Sequence, residues 1–140
     1  MAPKILIVED DKFLRQAYQN ILGKENFDLK LAVNGREGVE IAQAWSPDLV
    51  LLDLLMPEMD GIGFLKAFDA HAHPETKVIV FSNLSLPEKV NEANQLGAVN
   101  FKTKAMFTPR EMIALIRETL GGPEATPSAP AETDPKADKQ

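Results

Sequence analysis

The chain has 140 residues, about the length of one folded domain, and its 44% hydrophobic and 26% charged residues are typical of a globular protein. Its net charge of -6 argues against binding nucleic acid through the phosphate backbone, and the lack of cysteine excludes disulfides and thiolate catalysis. With two histidines and no apolar stretch near membrane-spanning length, we expect no histidine-based metal site, no membrane anchor and a cytoplasmic protein.

Five short apolar segments, rich in β-branched residues, alternate along the chain with segments of helical periodicity. The apolar segments are residues 5–8, 29–33, 49–52, 78–81 and 99–101. Strands that are apolar on both faces and joined by helices are typical of a parallel sheet covered on both sides. The sequence therefore predicts an α/β, doubly wound fold of five βα units, in which residues 29–33, interrupted by Lys30, form an edge strand.

Capping signals mark the starts of three of the predicted helices. Asn34, Ser85 and Thr108 are each followed three positions later by Glu, the spacing of a capping box. Pro109 follows Thr108 at the first helical position, where a missing N–H leaves no helical hydrogen bond unmade. The prediction of these helices therefore does not depend on periodicity alone.

The composition changes at Gly121. Residues 121–140 include four of the ten prolines and no Val, Ile, Leu, Met or aromatic residue, so they cannot bury enough apolar surface to offset the entropy lost on ordering. We therefore predict one domain at residues 1–120 and a disordered, proline-rich tail at residues 121–140.

Polar residues follow the predicted strands at the points where the strands end. Ligands of doubly wound folds bind beyond the carboxyl ends of the strands, so these residues are candidates for one shared crevice. They are Glu9, Asp10 and Asp11 after the first strand, Asp53 after the third, Ser82 and Asn83 after the fourth, and Lys102, Thr103 and Lys104 after the fifth.

Carboxylates gathered at one sheet edge repel each other, and a hard divalent cation such as Mg2+ relieves the repulsion. We expect Asp10 and Asp53 as direct ligands, with Glu9 acting through a water, while Lys104 and Ser82 bind a phosphoryl group. Taken singly, an Asp after a strand is more often a helix cap or turn residue, and Asp11 is open to that interpretation. The joint occurrence of these residue types at different strand ends favours a common site.

Several separated motifs resemble the receiver domain of two-component response regulators, of the stand-alone, single-domain type. The motifs are KILIVEDD at 4–11, PDLVLLDLLMP at 47–57, MDG at 59–61, VIVFS at 78–82, Gly97 with Ala98, and Lys104. The resemblance covers about residues 4–120. It implies a flavodoxin-like (βα)5 fold with a five-stranded parallel sheet of order 2-1-3-4-5.

The resemblance also implies roles for individual residues. It makes Asp53 the phosphoacceptor and assigns the Mg2+ site to Glu9, Asp10, Asp53 and the backbone carbonyl of Leu55. It assigns the switch and phosphate-binding roles to Ser82, Asn83, Phe101 and Lys104.

The function implied by the resemblance is signalling by phosphoryl transfer from a histidine kinase or phosphotransfer protein to Asp53. The protein would then assist its own phosphorylation and dephosphorylation without being an enzyme for another substrate. The kinase or phosphotransfer protein would dock on a surface formed by Lys12, Phe13, Gln16, Ala17 and the loop after Lys104. A downstream target protein would bind the face of helix 4, strand 5 and helix 5 when Asp53 is phosphorylated.

The sequence departs from the common pattern of this family at three places. Ala105 follows Lys104 where Pro is usual, so we expect a trans peptide bond or a strained loop there. Asn83 replaces a small residue beside the phosphoryl group. Leu55 and Leu84 place apolar side chains beside the phosphoryl group, and we expect them to hinder the attacking water and slow dephosphorylation.

Three other functions are weighed against phosphoryl signalling. A module that keeps the fold but binds its target without phosphorylation is disfavoured by the complete set of carboxylates, hydroxyl and lysine. An aspartate-nucleophile phosphatase is disfavoured because Leu54 and Leu55 follow Asp53, leaving no second Asp two positions on as general acid. A flavodoxin-like electron carrier is disfavoured because carboxylates after the first strand would repel a flavin phosphate.

Overall fold

The computed structural model describes residues 2–54, 56, 59–82, 87–104 and 108–121. Its backbone contacts divide the chain into two units, Met1–Phe107 and Thr108–Gln140. The first unit contains β1 (Lys4–Val8), α1 (Lys12–Leu22), β2 (Asp28–Ala32), α2 (Gly35–Trp45), β3 (Leu49–Leu52), α3 (Gly61–Phe68), a 3-10 turn (Ala70–Ala72), β4 (Lys77–Ser82), α4 (Pro87–Gln95) and β5 (Ala98–Thr103). The second contains α5 (Pro109–Thr119). Strands and helices alternate as the apolar periodicity predicts.

The five strands form one parallel sheet in the order β2-β1-β3-β4-β5, which confirms the predicted fold class. The strand interrupted by Lys30 lies at one edge, as its polar interruption predicts. The other edge strand, β5, carries a register shift, because Val78 pairs with Ala98 and Ile79 pairs with Asn100. Val99 is the extra residue of this bulge and is half exposed.

Both faces of the central strands are covered. Successive side chains of a strand point to opposite faces, and all four residues of β3 are buried. One face packs with α2, α3 and α4 around a cluster that includes Leu6, Val50, Phe64 and Phe68. Burial of both faces explains why β1, β3 and β4 read as continuous apolar runs rather than as alternating patterns.

Side-chain caps start the helices at the predicted points. The Asn34 side chain accepts a hydrogen bond from the backbone N–H of Glu37 at the start of α2. Thr108 and Glu111 form a reciprocal capping box at the start of α5, with Pro109 in its first turn. These two predictions are confirmed, whereas Ser85 lies outside the described residues.

The second unit contributes one helix to the described structure. Its buried residues, Met112, Leu115 and Ile116, recur at the spacing of one helical face. Residues 122–140 lie outside the described residues, so the predicted domain boundary and the predicted tail stay predictions. Within the described part of the chain, none of the helices combines the length and the apolar character needed to cross a bilayer.

Candidate acidic and phosphate-binding site

The carboxyl ends of β1 and β3 bring three carboxylates together. Asp53 follows β3, and its backbone N–H donates to the carbonyl of Val8, the last residue of the neighbouring strand β1. The carboxylates of Glu9, Asp10 and Asp53 each offer an oxygen within 4.8 Å of the others. Glu9 and Asp53 are buried, at 2% and 7% exposure, while Asp10 is exposed. The cluster is therefore buried on one side and open to solvent on the other.

Lys104 links two of these carboxylates. Its Nζ donates to Oε1 of Glu9 at 2.5 Å and to Oδ2 of Asp53 at 3.1 Å. The Lys104 side chain is 11% exposed, so these ion pairs lie largely out of solvent. A single ammonium thus partly neutralises the charge that the two buried carboxylates bring to the site.

Burial and charge act in opposite directions on these groups. Burial raises the pKa of Glu9, although the hydrogen bond and charge of Lys104 act to lower it. Burial alone would lower the pKa of Lys104, but the hydrogen bond with Glu9 and the charges of Asp53 and Glu9 outweigh it, so this pKa is raised. Lys104 therefore remains a cation throughout the neutral range.

The loop between β1 and α1 is held by Asp11 and Arg15. The Asp11 carboxylate accepts hydrogen bonds from the backbone N–H groups of Phe13 and Leu14, which confirms its interpretation as a helix cap. The backbone N–H of Asp11 donates to Oε2 of Glu9 at 3.1 Å. Nη1 of Arg15 donates to the backbone carbonyls of Glu9 and Asp10, at 2.8 and 3.0 Å.

Sequence reasoning did not identify Arg15 or Tyr18 as parts of this region. Tyr18, on α1, is 9% exposed and lines one small cavity together with Glu9, Asp53 and Phe81. Burial raises the pKa of Tyr18, the charge of Lys104 lowers it, and the charges of Glu9 and Asp53 raise it. The sequence signal that could have identified them is their position, because Arg15 and Tyr18 lie in the first two turns of α1, directly after the acidic residues.

Gly61 allows α3 to begin against the backbone of Asp53. Its N–H donates to the carbonyl of Leu54 at 3.0 Å, and Asp60 caps the helix through the N–H of Gly63. A Cβ at position 61 would lie 2.6 Å from the carbonyl oxygen of Asp53 and 2.8 Å from Cα of Leu54. Both neighbours are backbone atoms, so any larger residue at position 61 would displace the segment that carries Asp53.

Two further predicted site residues, Ser82 and Phe101, lie within strands β4 and β5. Ser82 ends β4, is fully buried and pairs in register with Thr103 of β5. Phe101 is half-buried and packs against the core cluster. The expectations for Leu55, Asn83, Leu84 and Ala105 fall on residues outside those that the structure describes.

The donor set fits a hard divalent cation. Glu9, Asp10 and Asp53 present carboxylate oxygens, the ligand type that Mg2+ prefers. Mg2+ takes one or two carboxylates and keeps several waters, and the exposed side of Asp10 leaves room for water ligands. The described residues could therefore hold a divalent metal ion at this position.

The response regulator receiver domain model matches residues 5–117, which include every described residue of this site. The chain belongs to the response regulator receiver domain family. Receiver domains are the signalling domains of two-component response regulators, a class whose members interact with histidine kinases and downstream targets.

Two similar proteins are chemotaxis proteins named CheY. This receiver domain is 36% identical over 118 residues to CheY of Halobacterium salinarum, covering 82% of this chain and 95% of that protein. It is 38% identical over 121 residues to CheY of Bacillus subtilis, covering 86% of this chain and 99% of that protein.

Solved structures share the fold of this receiver domain. Chemotaxis protein CheY4 of Vibrio cholerae superimposes with a TM-score of 0.77 at 27% identity, covering 84% of this chain and 98% of that one. A CheY-like receiver domain protein of Methanospirillum hungatei gives a TM-score of 0.81 at 27% identity, covering 86% of this chain and 95% of that one.

Proposed function

We propose that this receiver domain accepts a phosphoryl group on Asp53 in a Mg2+-dependent reaction and signals through a binding surface that changes on phosphorylation. The donor is a phosphohistidine of a sensor histidine kinase or phosphotransfer protein. The observation that carries the proposal is the pairing of Asp53 with the Lys104 ammonium, at 3.1 Å, inside a cluster whose remaining carboxylates suit a divalent cation.

Asp53 is the nucleophile of the proposed reaction. A carboxylate oxygen of Asp53 forms a bond to phosphorus as the phosphorus–nitrogen bond to the donor imidazole breaks, and the imidazole nitrogen keeps the bonding electrons. Phosphoryl transfer depends mainly on alignment and on neutralisation of charge, and it needs little covalent participation by other groups. Lys104 supplies a fixed positive charge to Asp53 from within the site.

Glu9, Asp10 and Asp53 would hold the cation, and the family resemblance adds the backbone carbonyl of Leu55 to these ligands. When bound, Mg2+ offsets the negative charge of the phosphoryl oxygens and of the carboxylates. The chain itself orients the ligands. The backbone N–H of Asp11 donates to the Glu9 carboxylate, and the Lys104 ammonium donates to the carboxylates of both Glu9 and Asp53. Glu9 and Asp53 therefore have little rotational freedom before a donor arrives.

We further propose that Ser82 and Phe101 transmit the phosphorylated state. The Ser82 hydroxyl, buried at the end of β4, moves to donate a hydrogen bond to the phosphoryl group. The Phe101 ring then turns into the space that Ser82 has left. The family resemblance implies that Asn83 would flank the phosphoryl group and that Leu55 and Leu84 would hinder the attacking water. The resulting change reaches the face of α4 and β5, where a target protein binds.

The docking surface for the kinase or phosphotransfer protein is proposed on α1. Phe13 is 81% exposed there, and Lys12, one position before it, and Gln16, three positions after it, are also exposed. An exposed aromatic side chain next to charged and polar neighbours is typical of a binding anchor. We propose no direct contact with nucleic acid or membrane, and a cytoplasmic location stays an expectation.

Phosphorylation by a small acyl phosphate tests the proposal. We expect the wild-type chain with Mg2+ to gain one phosphoryl group by mass spectrometry, and Asp53→Asn to gain none. Asp28→Asn, which neutralises an exposed carboxylate on β2, is the matched control and is expected to react as wild type does. If the wild-type chain gained no mass while another receiver domain did, a binding module without phosphorylation would replace this proposal.

A further inference from the structure

The side chain of Arg15 joins α1 to the backbone of the acidic loop. Its Nη1 donates to the carbonyl of Glu9 at 2.8 Å and to the carbonyl of Asp10 at 3.0 Å. Nη1 of a guanidinium carries two hydrogens, so this one nitrogen can serve both acceptors. The carboxylate of Glu9 forms the buried side of the cluster, and that of Asp10 forms its solvent side.

The geometry of α1 explains why this side chain reaches the loop. Long side chains of helical residues point back towards the helix N-terminus, and Arg15 lies in the first turn of α1. Its own N–H donates to the carbonyl of Asp11 at 2.9 Å, which fixes the backbone from which the side chain extends. The Arg15 guanidinium is therefore directed at the residues that precede the helix.

The contacts of Arg15 differ from those of the other groups that hold the loop. Asp11 caps the helix and also donates to the Glu9 carboxylate, so it acts on the helix start and on one side chain. Arg15 bonds the peptide carbonyls of both Glu9 and Asp10, so it sets the orientation of two consecutive residues at once. Hydrogen bonds from a charged donor are stronger than those from a neutral one.

We propose that Arg15 is a positioning residue, which aims the carboxylates of Glu9 and Asp10 towards Asp53 and thereby sets the affinity of the acidic cluster for Mg2+. This inference rests on the proposed function, because it concerns the cation of the same reaction. Residues that orient metal ligands without touching the metal typically change metal affinity by about 10–100-fold when they are replaced. The guanidinium also places a positive charge beside the cluster, which by itself would weaken cation binding. Orientation of the ligands by Arg15 therefore strengthens Mg2+ binding, whereas its charge weakens it.

Calorimetric titration with Mg2+ measures the net result of these two effects. Arg15→Met removes the donors and one positive charge, and Arg36→Met removes one positive charge from an exposed position on α2. We expect Arg15→Met to bind Mg2+ at least about 10-fold more weakly than wild type. Arg36→Met is expected to bind as wild type does, and Arg15→Lys, which keeps a charged donor, to recover part of the affinity.

Phosphorylation by a small acyl phosphate provides a second measurement. If Arg15 acts through cation affinity, Arg15→Met requires more Mg2+ for half-maximal rate but approaches the wild-type rate at saturating Mg2+. Equal Mg2+ affinities of Arg15→Met and Arg36→Met would overturn the inference. So would equal losses in Arg15→Met and Arg15→Lys that track a lowered melting temperature, since they would assign Arg15 a purely structural role. Failure of the wild-type chain itself to bind Mg2+ would instead contradict the proposed function.

Discussion

Lys104 Nζ lies 2.5 Å from Oε1 of Glu9, although the two residues are 95 positions apart in the chain. Lys104 follows β5 and Glu9 follows β1, and β3 and β4 lie between these strands in the sheet. At about 4.8 Å between neighbouring strands, the two strand ends are roughly 14 Å apart. The contact between these two side chains therefore crosses the ends of β3 and β4.

Replacing Lys104 by Met is expected to destabilise the fold. The substitution leaves the buried carboxylates of Glu9 and Asp53 without their shared cation. An exposed ion pair contributes up to about 1 kcal/mol to the free energy of unfolding, and breaking a buried pair costs about 3–5 kcal/mol. Because these pairs are mostly buried, we expect the free energy of unfolding to fall by about 2 kcal/mol. Urea unfolding at pH 7 measures the loss. Lys66→Met, which removes a solvent-exposed ion pair with Glu92, serves as the control and should lose much less.

Alkaline pH should reduce the difference between wild type and Lys104→Met. The pKa of Lys104 is raised above its ordinary value of 10.5, so the charged form stabilises the folded state. This contribution is fully present below about pH 10.5 and is lost as the pH rises through the folded-state pKa. Urea unfolding of both proteins between neutral and strongly alkaline pH should show converging stabilities. A constant difference across this range would contradict the role assigned to the ammonium charge.

Tyr18 provides a spectroscopic probe of the charge in the site. It is the only tyrosine of the chain, so the absorbance of its phenolate can be followed directly during an alkaline titration. Burial raises the pKa of Tyr18 above 10.0, and the charge of Lys104 acts to lower it. We expect the titration midpoint above pH 10.0, a higher midpoint in Lys104→Met and a lower one in Asp53→Asn. A midpoint unchanged by either substitution would show that Tyr18 does not sense these charges.

Removing the cap of α1 is expected to cost stability without removing phosphorylation. Asp11→Ala deletes the acceptor for the N–H groups of Phe13 and Leu14, and loss of such a cap typically costs about 1 kcal/mol. Asp11→Asn keeps a capping oxygen and should lose less. Chemical unfolding measures the cost, and mass spectrometry after treatment with a small acyl phosphate should still detect one phosphoryl group. Complete loss of phosphorylation in Asp11→Asn would instead indicate that the Asp11 charge takes part in the reaction.

Two glycines of α3 should respond in opposite ways to alanine. The added Cβ in Gly61→Ala meets the backbone of Asp53 and Leu54, and overpacking of this kind costs about 1–3 kcal/mol. The nearest atom to a Cβ at Gly63 is Cγ of the Met59 side chain, which can move, and alanine stabilises a helix relative to glycine by up to about 1 kcal/mol. Thermal unfolding should therefore rank Gly63→Ala at or above wild type and Gly61→Ala below it. Equal stabilities of the two variants would contradict the close approach at Gly61.

The elements predicted from the sequence are those that depend on neighbouring residues. The capping box of Thr108 and Glu111 spans one helical turn, and the cap at Asp11 depends on residues two and three positions away. The buried strands could be predicted because successive side chains point to opposite faces of the sheet. When both faces are covered, every residue of the strand is apolar, as in Leu49–Leu52. The polar residues at the strand ends could also be predicted as candidates, since parallel strands end at the same edge.

The parts that were not predicted depend on how elements pack. Arg15 reaches the carbonyls of Glu9 and Asp10 because α1 begins with the cap at Asp11, which sets the direction of the helix. Tyr18 lies beside the site because its face of α1 packs on the sheet, and an aromatic residue at helical spacing looks the same in sequence wherever the helix lies. The bulge at Val99 follows from the pairing of β5 with β4, which no local pattern specifies.

By itself, the sequence determined the alternation of strands and helices, the capped helix starts and the set of polar groups available at the strand ends. Hydrophobic periodicity and hydrogen bonding between near neighbours are local properties, so they can be read along the chain. Only the tertiary structure decided that the ammonium of Lys104 would bridge Glu9 and Asp53, that Arg15 would hold the acidic loop, and that Gly61 would lie against Asp53. These contacts depend on distances of a few ångströms between residues from different elements, and packing alone sets those distances.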